Sequence, residues 1–142
     1  MSALWSCAKP PMTTDSKENG RAGKRRSHER RGRQAENAAA LWLQLKGYRI
    51  LDRRARTPVC EIDLVAARGT MLVFVEVKSR ASFTTALEAV TPQFQKRLQD
   101  AANIWVSRHR KMHDWLWRFD LVLLAPGRLP RHMPDAWRAE KR

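Results

Sequence analysis

Residues 59–80 read VCEIDLVAARGTMLVFVEVKSR, two apolar runs that meet at an Arg-Gly step and carry Glu61, Asp63, Glu76 and Lys78 inside them. Side chains alternate along a strand, so Glu61 and Asp63 share one face, as do Glu76 and Lys78. Closing the pair as a hairpin with Arg68-Gly69 as a two-residue loop sets Glu61 opposite Glu76 and Asp63 opposite Phe74. All four charges then lie on one face, at the end away from the turn. Cys60, Ile62, Leu64 and Ala66 share the other face with Val73, Val75 and Val77. A four-residue loop keeps this parity and a three-residue loop breaks it.

Working outward, QAENAAALWLQLKG before the hairpin is rich in helix formers and sets Ala35, Ala38, Trp42 and Leu45 on one face, with Lys46-Gly47 as its stop. YRILDRRAR reads as a strand, and ASFTTALEAV as a connector with room for a helical turn. TPQFQKRLQDAANIWVSRHRK then offers Thr91 as an N-cap, Pro92 as a first helical residue and Phe94, Leu98, Ala101 and Trp105 as a buried stripe. RFDLVLLAP has the length and apolarity of a strand covered on both faces, with Asp120 read as structural. The proline-broken end, GRLPRHMPDAWRAEKR, reads as irregular. The order helix, strand, strand, strand, helix, strand is an α/β arrangement, most economically one sheet with helices against it.

Residues 1–32 read as a disordered basic tail without apolar periodicity, and residues 33–142 as a single domain. Net charge is +14, from 28 Lys and Arg against 14 Asp and Glu. Such a field concentrates polyanions, with nucleic acid as the first partner to consider. Two cysteines without a ligand-spacing motif make no zinc site. No run reaches the ~20 apolar residues of a membrane helix, and the N-terminus lacks a secretory pattern. A cytoplasmic protein with no membrane association is expected.

Two carboxylates opposed on a sheet repel. Partly buried, they take up protons or need a cation. Asp, Glu and a neighbouring Lys supply the parts of a divalent-metal nuclease. Hard oxygen ligands hold Mg2+ or Mn2+ and leave positions open for water and a phosphate oxygen. A lysine beside them either orients or deprotonates the attacking water, or stabilises the charged transition state. The competing reading is structural, each acid pairing with Lys78 or an arginine on an exposed face. That reading serves any one of these residues better than it serves all of them together. Arg80, directly after the second strand, is expected to contact phosphate from the rim of the site.

Asp63, twelve residues, then Glu76-Val77-Lys78 resembles the PD-(D/E)xK nuclease signature. The wider run of GRQAENAAALWLQLKGYRIL, EIDLVA, VFVEVKSR, VTPQFQKRLQDAANIWV and RFDLV, over about residues 32–137, looks like the YraN family of small bacterial proteins. That family is nuclease-like and similar to archaeal Holliday-junction resolvases. The resemblance implies a restriction-endonuclease-like fold, with a central mixed sheet of about four strands and flanking helices. It implies that Asp63 and Glu76 bind Mg2+ or Mn2+ and that Lys78 is the catalytic lysine, with Glu36 as an extra ligand through water. Glu61, in the same EID motif, is either a ligand or a salt-bridged neighbour that orients one.

The implied activity is metal-dependent endonucleolytic hydrolysis of DNA, branched or single-stranded DNA included, by a protein that in such resolvases works as a homodimer. The alternative is a nucleic-acid-binding protein that keeps the fold and cuts weakly or not at all. Two positions depart from the family pattern. Cys60 stands where a glycine usually precedes EID, and Phe94 stands where a basic residue is common. Lys96 and Arg97 are the nearest candidates to take over that phosphate contact.

Overall fold

In the computed structural model, which describes residues 18–138, the helix α1 (Glu18–Leu45) is followed by three strands, β1 (Arg49–Arg56), β2 (Glu61–Arg68) and β3 (Met71–Ser79). A short helix α2 (Phe83–Glu88) and a longer one, α3 (Pro92–Ser107), lead through a 3-10 turn at Arg110–Met112 to β4 (Leu116–Leu124) and β5 (Arg131–Trp137). Residues 1–17, the first part of the expected tail, and residues 139–142 lie outside the described residues. The helix starts at Glu18 rather than near Arg33. Residues 18–33 are largely strong helix formers with no proline, so the backbone helix continues without needing an apolar stripe.

The strands form one α/β sheet in the order β1-β2-β3-β4-β5. Only β3 and β4 are parallel, and the crossover between them contains α2 and α3. Helix α1 covers one face, on Leu64, Ala66, Val73, Val75 and Val122. Helix α3 covers the other, on Val65, Ala67, Leu72, Phe74 and Phe119, with Phe94, Leu98, Ala101 and Trp105 buried as its stripe predicts. Thr91 caps α3 by accepting from the Phe94 N–H at 3.2 Å. The stop of α1 is also as expected, the Tyr48 N–H reaching back to the Leu43 carbonyl at 3.1 Å.

Three further expectations are corrected. The hairpin register is one residue later than Arg68-Gly69 would give: Arg68 pairs with Met71 and Leu64 with Val75, so Gly69-Thr70 is the loop. Gly69 at φ 60° takes the first loop position, as a type II′ turn requires. Face parity holds from Leu64 to the turn but not on the far side of Leu64: Cys60 and Ile62 pack in the α3-side cluster with Val65 and Phe74, not with Leu64, Ala66, Val73 and Val75 as expected. The register now runs toward Asp63 beside Glu76.

Second, the buried stripe of α1 is Ala39, Ala40 and Leu43, while Leu45 is 74% exposed. Small alanines let the helix sit close to the sheet, and helical spacing from Ala39, Ala40 and Leu43 brings Glu36 onto the sheet-facing side. Third, the sheet has five strands rather than four. The C-terminal segment forms β5 despite Pro134, because an edge strand leaves one side without ladder bonds and tolerates proline there.

Asp120, in the middle of β4 and fully buried, fixes β5 in place. It accepts from Arg118 Nε and Nη2, both at 2.8 Å, from His132 Nε2 at 2.6 Å and from the backbone N–H of Asp135 at 2.9 Å. Arg118 also donates to the Tyr48 hydroxyl at 2.8 Å. Lys46 Nζ lies 2.8 Å from His132 Nδ1. An ammonium only donates, so Nδ1 accepts and Nε2 carries the proton given to Asp120. The end of α1, the start of β1 and strands β4 and β5 thus close on one carboxylate. Burial alone would raise the Asp120 pKa, but the bonds from His132 and Arg118 hold it below the usual range.

Asp120→Asn should therefore lose about 3 kcal/mol at neutral pH, the scale of breaking a buried pair. A depressed folded pKa stabilises above the unfolded value of about 3.9 and ceases to do so as pH falls through the folded one. Denaturant melts across pH should show the gap between wild type and Asp120→Asn closing below about pH 4.

Candidate functional site

Beyond Leu64 and Val75, β2 and β3 no longer pair backbone to backbone. The Asp63 carboxylate takes the place of the ladder, its Oδ2 accepting the Val77 N–H at 2.9 Å. Glu76 and Lys78, two apart on β3, point to the same face. Their side chains meet at 3.0 Å (Oε1 to Nζ), each only 2% exposed. Lys78 Nζ also sits 4.9 Å from the centre of the Phe94 ring. The position where a basic residue was expected instead supplies an aromatic floor under the lysine.

Asp63 and Glu76 are close enough for one to hydrogen-bond the other when protonated. Burial first, and then the charge of Glu76, push the Asp63 pKa well above the ordinary aspartate range, against the pull of the Val77 N–H. Glu76 Oε2 is buried and has no hydrogen-bonding partner among the described residues. A buried carboxylate oxygen without a donor is costly, and the group that most directly relieves both carboxylates is a hard cation. The donor set of Asp63 and Glu76 fits Mg2+ or Mn2+, with Lys78 adjacent.

Glu36 and Glu61 occupy the flank. Glu36 is bound to Arg54 Nε at 2.6 Å and is half-buried. Among the described residues, no three acidic, histidine or cysteine side chains converge as a ready metal cage. Glu36 still acts at a distance, its charge adding to the upward shift of Asp63. Burial, followed by the charge of Glu36, raises the Glu61 pKa, while Arg54 and Arg56 oppose it. Arg54 holds φ at 50°, an uncommon angle for a side chain of its size. It lies between Arg53 and Ala55, which pair with Leu64 and Ile62, and so next to Asp63 on the neighbouring strand. Nothing in the sequence announces that backbone angle.

The expected phosphate contacts spread over the rim. Arg80 follows β3 and bonds the Ser79 carbonyl at 2.8 Å. Lys96 is exposed on α3 and 3.4 Å from Asp100, an i,i+4 pair. Arg97 is half-buried, and its carbonyl lies 3.8 Å from Cys60 Sγ. Cys60 itself is fully buried and does not adopt a positive φ, so the place of the usual glycine needs no special backbone angle here.

The family description "Uncharacterised protein family UPF0102" matches residues 35–124, the span that holds Glu36, Asp63, Glu76 and Lys78. A UPF0102 protein of Maricaulis maris is 51% identical over 113 residues, covering 80% of this chain and 89% of that protein. One from Caulobacter vibrioides is 53% identical over 106 residues, covering 75% and 85%. One from Rhodopseudomonas palustris is 54% identical over 110 residues, covering 78% and 82%. No described helix is long and apolar enough to cross a membrane.

A raised folded pKa gives stability that is present below the unfolded value and lost as pH rises through the folded one. At neutral pH without a divalent cation, Asp63 therefore weakens the fold. Asn keeps the acceptor for Val77 without the charge. In EDTA at pH 7, Asp63→Asn should melt above wild type, with the difference shrinking as the solution is acidified.

Proposed function

This chain belongs to the UPF0102 family, also called YraN, and from its buried acid–lysine site we propose that it is a metal-dependent endonuclease acting on DNA. The observation that carries the proposal is the meeting of Asp63, Glu76 and Lys78 in one buried cluster with Glu76 Oε2 lacking a donor. Asp63 and Glu76 would hold Mg2+ or Mn2+. That cation, when bound, neutralises charge that develops on the scissile phosphate. Lys78, fixed between Glu76 and the Phe94 ring, donates to a phosphate oxygen or to the attacking water as the pentavalent state forms. Water attacks phosphorus in line and gives up a proton to solvent, the phosphorus–oxygen bond of the leaving strand breaks, and the leaving oxygen takes a proton from solvent. Lysines and arginines outside the cluster hold the strand through its phosphates, in keeping with the net charge of +14.

The second reading is a binding protein that has kept the nuclease site without cutting. Arg54 favours it, because its bond to Glu36 holds a third carboxylate away from the pair. Incubation with duplex, single-stranded and branched DNA in Mn2+ separates the two. Under the proposal wild type cuts at least one substrate, and Asp63→Asn and Lys78→Gln each fall by about 100-fold or more, the scale of losing one transition-state donor. Cleavage equal in wild type and both variants would mean contamination and would end the assignment. Tight, EDTA-resistant binding with no cutting on any substrate would select the second reading.

A further inference from the structure

A depression of about 340 Å³ opens beside the site, walled by Ser82, Phe83 and Thr84 at the start of α2 and by Ala125, Arg128 and Arg131 from the β4–β5 connection. Both guanidinium groups lie near one aromatic ring, Arg128 at 5.9 Å and Arg131 at 5.7 Å from the centre of Phe83. Neither arginine has a carboxylate within ion-pair distance among the described residues. Two like charges gathered over one ring without a counter-ion make a place for an anion, and the planar fork of arginine suits the oxygens of a phosphate.

Register places this depression relative to the site. Lys78 pairs with Leu123 on β4, and Leu123 pairs with Arg131 on β5. Residues paired in a row share a face, so Arg131 and Lys78 stand on the same side of the sheet, two strand spacings or about 10 Å apart. Phe83 packs against the buried cluster of Ala86, Leu121 and Leu123 on that same side. The depression also lies at the carboxyl ends of the parallel pair β3 and β4, where open α/β sheets bind their ligands.

We propose that Arg128 and Arg131, set against Phe83, bind a backbone phosphate of the nucleic-acid strand a few nucleotides from the bond placed at Lys78. The inference rests on the nuclease reading for the identity of the strand. A separation of about 10 Å corresponds to roughly three nucleotides along a duplex, at one phosphate per 3.4 Å of each strand. Ser82 and Thr84 add hydroxyls at the mouth, although the Ser82 hydroxyl also caps α2 by accepting from the Thr85 N–H at 3.2 Å.

The test is binding of a fluorescent oligonucleotide in EDTA across a salt series, which reads phosphate contacts whether or not the chain cuts. The variant Arg128→Gln/Arg131→Gln is compared with Arg110→Gln/Lys111→Gln, a pair of exposed cations just before β4, at its opposite end. All four residues are exposed, so melting curves should stay at the wild-type value. The expected result is a slope of log affinity against log salt that flattens by about 1 to 2 in the first variant and by less than half as much in the second. Equal slopes for the two variants, an unchanged slope in the first, or no binding by wild type would overturn the proposal. Loss of cleavage by wild type in Mn2+ with the expected slopes intact would count against the nuclease reading alone.

Discussion

Everything distinctive in this fold depends on keeping Lys78 and Glu76 in contact inside the protein with Asp63 beside them. Removing two such charges from water costs several kcal/mol per ion before any attraction is counted. The pair repays that cost only if its geometry is held. Here β3 is a central strand between β2 and β4, helix α3 closes the face over Lys78 with Phe94, and Asp63 replaces a ladder bond to Val77. What the cluster leaves unsatisfied is one carboxylate oxygen and the repulsion between two acids. A stability-driven core would have removed both. A site that meets a cation and a phosphate uses both.

The elements around the cluster show the same division. Asp120 is buried like Asp63, yet it accepts four hydrogen bonds, and its pKa falls where that of Asp63 rises. Two buried carboxylates of the same sheet, Asp120 and Asp63, thus have opposite electrostatic fates. The one on the α1 side ties the end of α1 and both C-terminal strands together. The ones at the carboxyl end of β3 are left short of positive charge. Arg54 stands between these cases: its strained backbone delivers a guanidinium to Glu36 and so sets how many acids face the cluster.

From Leu64 to the turn the face of the hairpin was readable from sequence, because strand periodicity is two and moving the loop by one residue at each end changes partners without changing sides. Beyond Leu64 the pairing with β3 ends and Cys60 and Ile62 turn to the α3 side, which periodicity did not foretell. The register itself was not readable, since it turns on which loop position Gly69 fills. The stripe of α3 was clear because Phe94, Leu98, Ala101 and Trp105 are spaced as one face. That of α1 was not, because alanines surround the helix and the larger Trp42 and Leu45 drew attention to the wrong side. Pro134 disguised β5 as a break; only the neighbouring sheet edge makes that residue acceptable. The acid–lysine cluster was legible in residue type and position. Its flank was not: a positive φ at Arg54 has no signature in the letters, and the gathering of Arg128 and Arg131 over Phe83 needs a hairpin that the sequence did not reveal.

The nuclease proposal requires that Asp63 and Glu76 share a cation. Crystals grown in EDTA and then soaked in Mn2+, measured at a wavelength where manganese scatters anomalously, test this directly. The expected result is an anomalous peak in contact with the carboxylates of Asp63 and Glu76, with Glu76 Oε2 among its ligands. Soaked crystals with Lys78 still 3.0 Å from Glu76 and no peak at either carboxylate would contradict it.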